Sequence, residues 1–154
     1  MPIKSFQGER EKLEKKTPSQ MLVSDIMTRN LILFDPDQSI HEVMETFIKF
    51  RISGGPVIDK VGNLIGVISE ADCMKEISDS RYFNMPILDK SVRHFMNTNM
   101  ETIDANKTVF DAASQFYKTK RRRFPVLDKM RLVGQVSRKD IVIAAINMKS
   151  QTWH

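Results

Sequence analysis

The sequence predicts an α+β protein built from two tandem copies of one small unit, strand-helix-strand-strand-helix, packed about a pseudo-twofold axis. The first observation behind this is an internal repeat. At an offset of 69 residues Val23 falls on Val92, Met27 on Met96, Asp35 on Asp104, Phe47 on Phe116, Pro56 on Pro125, Val57 on Val126 and Asp59 on Asp128. One residue is lost in the turn after Lys129, and at an offset of 68 Leu64 then falls on Leu132, Gly66 on Gly134, Ser69 on Ser137 and Asp72 on Asp140. The second observation is that each copy alternates helical and strand-like periods in the same order. The third is size: a unit of about 55 residues buries too little apolar surface to be comfortable alone, so the copies should pack together, with a ligand cleft between them. The expected divisions are a charged arm over residues 1–20, a first repeat over 21–77, a linker over 78–91, a second repeat over 92–147 and a tail over 148–154.

Within each copy the elements follow one another in order. A short apolar run, Leu31 to Phe34 or Met100 to Ile103, is the opening strand. Ser39-x-x-Glu42 and Thr108-x-x-Asp111 are capping signatures and place helix starts there. Ile40, Val43, Met44, Phe47 and Ile48, and likewise Val109, Ala112, Ala113, Phe116 and Tyr117, recur at helical spacing and give each helix one apolar face. Pro56-Val57-Ile58-Asp59 and Pro125-Val126-Leu127-Asp128 read as strands with proline first, where a missing N–H costs least. A hairpin turn at Val61-Gly62-Asn63, replaced by Met130-Arg131 in the second copy, leads to return strands Leu64–Ile68 and Leu132–Val136. Final helices start near Ser69 and Ser137.

Composition narrows the function classes. With 154 residues, 41% of them hydrophobic and 28% charged, the chain is globular and too short for a large multidomain enzyme. No apolar run reaches the roughly 18–20 residues of a membrane span, and the charged N-terminus lacks a signal-peptide core, so the reading is a cytoplasmic protein without membrane insertion. Cys73, the single cysteine, rules out an internal disulfide and suits a reducing compartment. Residues 4–20 mix Glu and Lys around Gly8 and Pro18, with Phe6 and Leu13 their large apolar residues, and read as an arm outside the core. The net charge of +5 is uneven, −2 over residues 1–91 and +7 over 92–154.

Each copy closes on Gly-x-x-Ser-x-x-Asp, as GVISEAD and GQVSRKD. A carboxylate there can accept two hydrogen bonds from a vicinal diol, and a helix N-terminus with a hydroxyl is an anion site. Gly66 and Gly134 would let a ligand approach the strand closely. Ser-x-x-Asp ahead of a helix is also a plain capping box, so both readings stand.

The paired units, each with Pro-Val-apolar-Asp and then Gly-x-x-Ser-x-x-Asp, resemble the cystathionine-β-synthase (CBS) domain pair, or Bateman module, over Val23 to Ile146. The resemblance implies a regulatory module, commonly a disc-shaped homodimer, that binds AMP, ADP, ATP or S-adenosylmethionine between the repeats. It implies that Asp72 and Asp140 hold ribose hydroxyls while Ser69 and Ser137 lie near phosphate. It also places residues just before the proline at the nucleotide. In the second copy these include Arg122 and Arg123, whose guanidinium groups can bind phosphate through paired N–H bonds. In the first copy Ile52 and Ser53 are candidates to shape an adenine pocket, and Thr102 joins the candidate nucleotide-binding set. Because the first copy lacks such basic residues, its site should not be equivalent to the second.

The basic run from Lys118 to Arg123 has two competing explanations. A helix end favours cations in solvent, and a pI near 9.4 with a basic cluster is the footprint of a nucleic-acid-binding protein. Against the nucleic-acid alternative, no recognition helix, zinc spacing or aromatic ladder accompanies the run. Cys73 has no base beside it, and neither His41 nor His94 has a ligand partner at i, i+4 spacing, which reads against nucleophilic catalysis and against a metal. The ten methionines, among them Met44, Met74, Met85 and Met96, read as adaptable packing, and Trp153 as a docking aromatic. The sequence thus reads as a non-enzymatic regulatory module. Adenine nucleotide is its regulatory ligand with no catalytic cofactor, and an effector protein is its partner.

Overall fold

A computed structural model describes residues 21–82 and 90–152. The arm over residues 1–20, Met85 within the linker, and Trp153 and His154 in the tail lie outside the described residues. The chain divides into two compact units, and the division exchanges the leading segments of the repeats. Among the described residues, 32–82 and 90–100 form the first-repeat unit, while 21–31 and 101–152 form the second-repeat unit. Each unit is α+β.

The second-repeat unit contains α1 (Val23–Ile26) and the first-repeat unit α2 (Ile40–Phe50), β1 (Gly54–Ile58), β2 (Leu64–Ser69) and α3 (Glu70–Tyr82). The second-repeat unit continues with β3 (Ile103–Asp104), α4 (Val109–Thr119), β4 (Arg123–Asp128), β5 (Arg131–Ser137) and α5 (Arg138–Thr152). Ser39 caps α2 by accepting from the Glu42 N–H, and Thr108 and Asp111 cap α4 reciprocally. Both helices end on a residue in the left-handed region, Arg51 at φ 54° and Lys120 at φ 59°, one repeat offset apart. Val23–Ile26 is a helical turn that the sequence reading does not anticipate.

The β1–β2 and β4–β5 hairpins are antiparallel, and both shift register at the same place, after Val57 and after Val126. The expected opening strands shrink. Phe34 alone bridges Val57, and β3 is only two residues long, with Ile103 opposite Val126. The strands behind the prolines also begin two residues earlier than expected, so Pro56 and Pro125 sit third rather than first. The earlier start comes from hairpin pairing ahead of the prolines, Gly54 with Ser69 and Arg123 with Ser137, and the shortening of the opening strands has its own cause. Phe34 N–H donates to Pro56 O at 2.9 Å and Ile58 N–H to Phe34 O at 3.0 Å. The next rung of this parallel ladder would need an N–H on residue 56, which proline does not have.

The core of the first-repeat unit is Phe34, Ile40, Val43, Phe47, Val57, Ile68, Cys73 and Val92, with Phe34 edge-on to Phe47 at 5.5 Å. In the second-repeat unit Phe116 stacks on Phe124 at 4.2 Å among Met21, Val23, Met27, Ile103, Val109, Val126, Val136 and Ile141. The buried stripe of each helix is narrower than its periodicity suggests: Ile48 and Tyr117 are 79% and 76% exposed, and Ala113 also faces out. Each unit gains an edge partner from a leading segment. Thr28 pairs with Gln135 through bonds of 2.9 and 3.0 Å, and Asn97 pairs with Val67 through bonds of 2.8 and 3.0 Å.

The two hairpin turns differ. In the first, Gly62 takes φ 91°, and Asp59 accepts from the Asn63 N–H and, less strongly, from the Val61 N–H, which holds its carboxyl below the usual range. In the second, the turn residues are Lys129 and Met130, one position earlier than the expected Met130-Arg131, because Arg131 already pairs with Asp128. Lys129 (φ 50°) and Met130 (φ 67°) both occupy the left-handed region without being glycine. That geometry costs each of them on the order of 1 kcal/mol. Replacing Lys129-Met130 with Asn-Gly should therefore stabilise the chain by about 1 kcal/mol, raising the melting temperature by roughly 2–4 °C. An unchanged or lowered urea midpoint would refute the strain.

Candidate functional site

The two Ser-x-x-Asp motifs sit where the second strand of each hairpin turns into the last helix. In the first-repeat unit the Ser69 N–H and Oγ–H donate to Asp72 Oδ2 at 2.8 and 2.9 Å, and the Asp72 N–H returns to Ser69 Oγ at 3.4 Å. In the second-repeat unit the Ser137 N–H donates to Asp140 Oδ2 at 2.8 Å and the Asp140 N–H to Ser137 Oγ at 3.2 Å. Both motifs are thus reciprocal caps on α3 and α5. Each cap uses Oδ2, so the second carboxylate oxygen remains as an acceptor for a hydroxyl. All four residues are half-buried, shielded from bulk water yet reachable.

Strand register brings the other candidates to the same places. Arg123, the first residue of β4, lies directly across from Ser137, the last of β5; Gly54 is likewise across from Ser69. One residue earlier the backbone closes on the helix start: the Arg138 N–H donates to Arg122 O at 3.2 Å and the Glu70 N–H to Ser53 O at 2.9 Å. Thr102 precedes β3, which runs beside β4, and its carbonyl accepts from Gln115 Nε2 at 3.0 Å. Thr102, Arg122, Arg123, Ser137 and Asp140 thus belong to one end of the second-repeat sheet, and Ser53, Ser69 and Asp72 to the matching end of the first. Ile52 packs partly against the first core, with its N–H bonded to Phe47 O at 3.1 Å, so it is shared between core and surface.

Sequence reading passes over Arg138 and Lys139. Their signal is the divergence of the two middle positions of Ser-x-x-Asp, Arg-Lys in the second copy against Glu70-Ala71 in the first. The glycines, in contrast, do not open the strands to a ligand. A Cβ on Gly134 would lie 2.6 Å from Met27 Sδ and 2.8 Å from Thr28 O, and one on Gly66 would lie 3.0 Å from Met96 Sδ. What needs the missing side chain is the leading segment of the same unit.

Cys73 is buried, and its thiol is pushed up to about 11, first by burial and then by the charges of Asp72 and Glu70. It is therefore protonated at physiological pH and a poor nucleophile. His41, read from the sequence as lacking an i, i+4 partner, in fact pairs with the Glu45 carboxylate one turn on, an exposed pair on α2, and His94 Nδ1 lies 3.1 Å from Ser91 Oγ. Among the described residues no three His, Cys, Asp or Glu side chains converge to hold a metal ion, and no helix is long and apolar enough to cross a membrane.

Comparison with known proteins agrees with the repeat. Residues 23–79 and 92–147 each match the model of the CBS domain. An uncharacterized protein of Methanocaldococcus jannaschii is 30% identical, the match covering 82% of this chain and 92% of that one. Inosine-5'-monophosphate dehydrogenase of Aquifex aeolicus is 31% identical over 92% of this chain, which spans only 26% of the dehydrogenase. Among solved structures, the CBS-pair protein CBSX2 of Arabidopsis thaliana in complex with AMP superposes with a TM-score of 0.74 at 29% identity, covering 84% of this chain and 98% of that one. The CBS domain pair of protein MJ0100, in complex with 5'-methylthioadenosine and S-adenosyl-L-methionine, gives 0.66 at 29% identity, covering 80% and 94%.

Proposed function

Because the chain belongs to the CBS domain family, matched over both of its repeats, we propose that it is a regulatory module that binds adenine nucleotides and does not catalyse a reaction. Binding of AMP, ADP or ATP shifts its conformation, and a partner protein reads that shift. The observation that carries this reading is the end of the second-repeat sheet, where Arg123 stands across from Ser137 and Asp140 caps α5 within the same turn. One carboxylate oxygen holds the helix start while the other is suited to the ribose diol, and the arginines are suited to phosphate. The AMP bound to CBSX2, and the two adenosine compounds bound to the MJ0100 domain pair, support an adenine ligand.

The module works as a homodimer in the cytoplasm. Each unit leaves apolar residues exposed on its last helix, Met74 and Ile77 on α3 and Val142, Ile143 and Ile146 on α5, which suit a second copy. Sedimentation should show a dimer at micromolar concentration.

Calorimetry and thermal melting against AMP, ADP, ATP, S-adenosylmethionine and NADH test the ligand. At least one adenine compound should bind and raise the melting temperature further as its concentration increases. If none does up to millimolar levels, the reading fails. ATP recovered intact after long incubation is the expected result for a sensor; steady turnover would make the chain an enzyme instead.

A further inference from the structure

The last helix of each unit carries an exposed apolar stripe headed by charge, and the sign of that charge differs between the copies. On α3, Glu70, Met74 and Ile77 are exposed at i, i+4 and i+7, while Cys73 and Glu76 are buried. On α5, Arg138 and Val142 stand at i and i+4, with Lys139, Ile143 and Ile146 beside them at i, i+4 and i+7; all five are exposed, while Ile141, Ala144 and Met148 are buried. Glu70 and Arg138 are equivalent positions of the repeat, as are Met74 and Val142. α2 packs on α3 and α4 on α5, and these neighbours do not offset the difference. Leaving buried side chains aside, the described residues of α2 and α3 carry Glu42, Glu45, Glu70, Asp72 and Asp79 against Lys49 and Lys75, with Glu45 paired to His41. Those of α4 and α5 carry Lys118, Arg138 and Lys139 against Asp111 and Asp140. Asp72, Asp111 and Asp140 each hold a helix start. One helical face is therefore acidic on balance and the other basic.

Two copies related by a twofold axis can join these stripes in two ways. Like pairing puts α3 on α3 and α5 on α5, which brings two copies of Arg138 and Lys139 to the rim of one apolar contact and two copies of Glu70 to the rim of the other. Unlike pairing puts α3 of each copy on α5 of the other. It covers the same apolar side chains, and Glu70 then shares a contact with Arg138 and Lys139 of the second copy, twice over by symmetry. Like charges at a rim oppose association and opposite charges favour it, so charge decides between arrangements that bury the same side chains. Resting on the homodimer reading above, we propose that the chain pairs unlike units, with α3 of one copy against α5 of the other. A ligand-driven change in either repeat then acts directly on the other kind of repeat in the second copy.

The test is sedimentation equilibrium of the full chain at low salt without nucleotide, on the parent and three variants: Glu70→Lys; Arg138→Glu with Lys139→Glu; and all three substitutions in one chain. The substituted side chains are exposed, and melting curves check that every variant is folded. In unlike pairing each partial reversal turns attraction into repulsion at both contacts, so the dimer dissociation constant should rise at least about fivefold. The full reversal puts opposite charges back together and should return the constant to within about threefold of the parent. At about 1 M salt, where the screening length falls to about 3 Å, these differences should vanish. In like pairing every variant exchanges one set of like charges for another, and all three keep the parent's dissociation constant; that result overturns the proposal while leaving the homodimer standing. Partial reversals that weaken the dimer without recovery in the full reversal overturn it as well, since the losses then do not come from Glu70 meeting Arg138 and Lys139. A parent chain that stays monomeric up to millimolar concentration removes the homodimer reading itself and the pairing with it.

Discussion

Gly134→Ala is expected to destabilise the chain by about 2–3 kcal/mol, whereas Gly66→Ala at the equivalent position costs about 1 kcal/mol or less. An added Cβ at Gly134 would lie 2.6 Å from Met27 Sδ, 2.8 Å from Thr28 O and 3.0 Å from Met27 Cγ. The sulfur is at the flexible end of a side chain and can swing, although Met27 is 4% exposed and has little room. The carbonyl cannot move cheaply, because it accepts the Gln135 N–H at 3.0 Å and belongs to the rung that holds the leading segment on β5. At Gly66 the contacts are 3.0 Å to Met96 Sδ, 3.2 Å to Asn97 O and 3.2 Å to Met96 Cγ, a few tenths of an ångström to absorb. The gain of roughly 0.4–1 kcal/mol from a stiffer unfolded chain applies to both sites and nearly cancels the smaller cost. Urea midpoints at unchanged m-value measure the difference. Equal midpoints for the two variants would contradict the geometry. A cycle with Met27→Ala adds a second check: the double variant should lose less than the two single losses together, since removing the thioether vacates part of the space the new methyl needs.

The same residues explain what the sequence discloses and what it withholds. The helix starts are legible because caps are local: Ser39 with Glu42, Thr108 with Asp111 and the two Ser-x-x-Asp pairs all close within three residues. The repeat is legible because both copies meet the same packing demands. Partner choice for the leading segments is not legible. Met27 and Met96 align in the repeat, and nothing local says that residues 21–31 pack with residues 101–152 while residues 90–100 pack with residues 32–82. The glycines mislead for that reason, since the space beside a missing Cβ looks the same in sequence whether a ligand or a methionine fills it. The shortened opening strands follow from a single missing N–H on each proline, a rung-level effect that an apolar run does not reveal. Ile48 and Tyr117 fall at the edge of their helical stripes, where periodicity alone does not decide between core and surface. The candidate site was legible through its chemistry, as serine, aspartate and arginine, and incomplete where the repeat diverges, at Arg138 and Lys139.

Asp140→Asn should weaken nucleotide binding by roughly 30-fold or more while leaving the melting temperature almost unchanged, whereas Asp140→Ala should lose both. The separation follows from the two jobs of one carboxylate. Oδ2 accepts the Ser137 N–H at 2.8 Å, and the amide oxygen of asparagine can take over that bond. The other position becomes an NH₂ donor, which cannot accept from a ribose hydroxyl, and the negative charge that strengthens such bonds is gone. Hydrogen bonds to charged groups are worth about 1.5–3 kcal/mol each, so losing one or two of them outweighs any gain from removing a negative charge beside phosphate. Alanine removes the cap as well, for a further stability loss of about 1 kcal/mol. Asp72 provides the control in the other copy. Its carboxylate accepts both the N–H and the hydroxyl of Ser69, so Asp72→Ala should destabilise the fold by a similar amount. It should nevertheless leave ATP affinity within about threefold of the parent, because no cluster of arginines faces it. If Asp140→Asn retains full affinity, the ribose role is wrong. If Asp72→Asn and Asp140→Asn lower ATP affinity equally, the difference in charge between the two copies does not govern which of them holds the nucleotide.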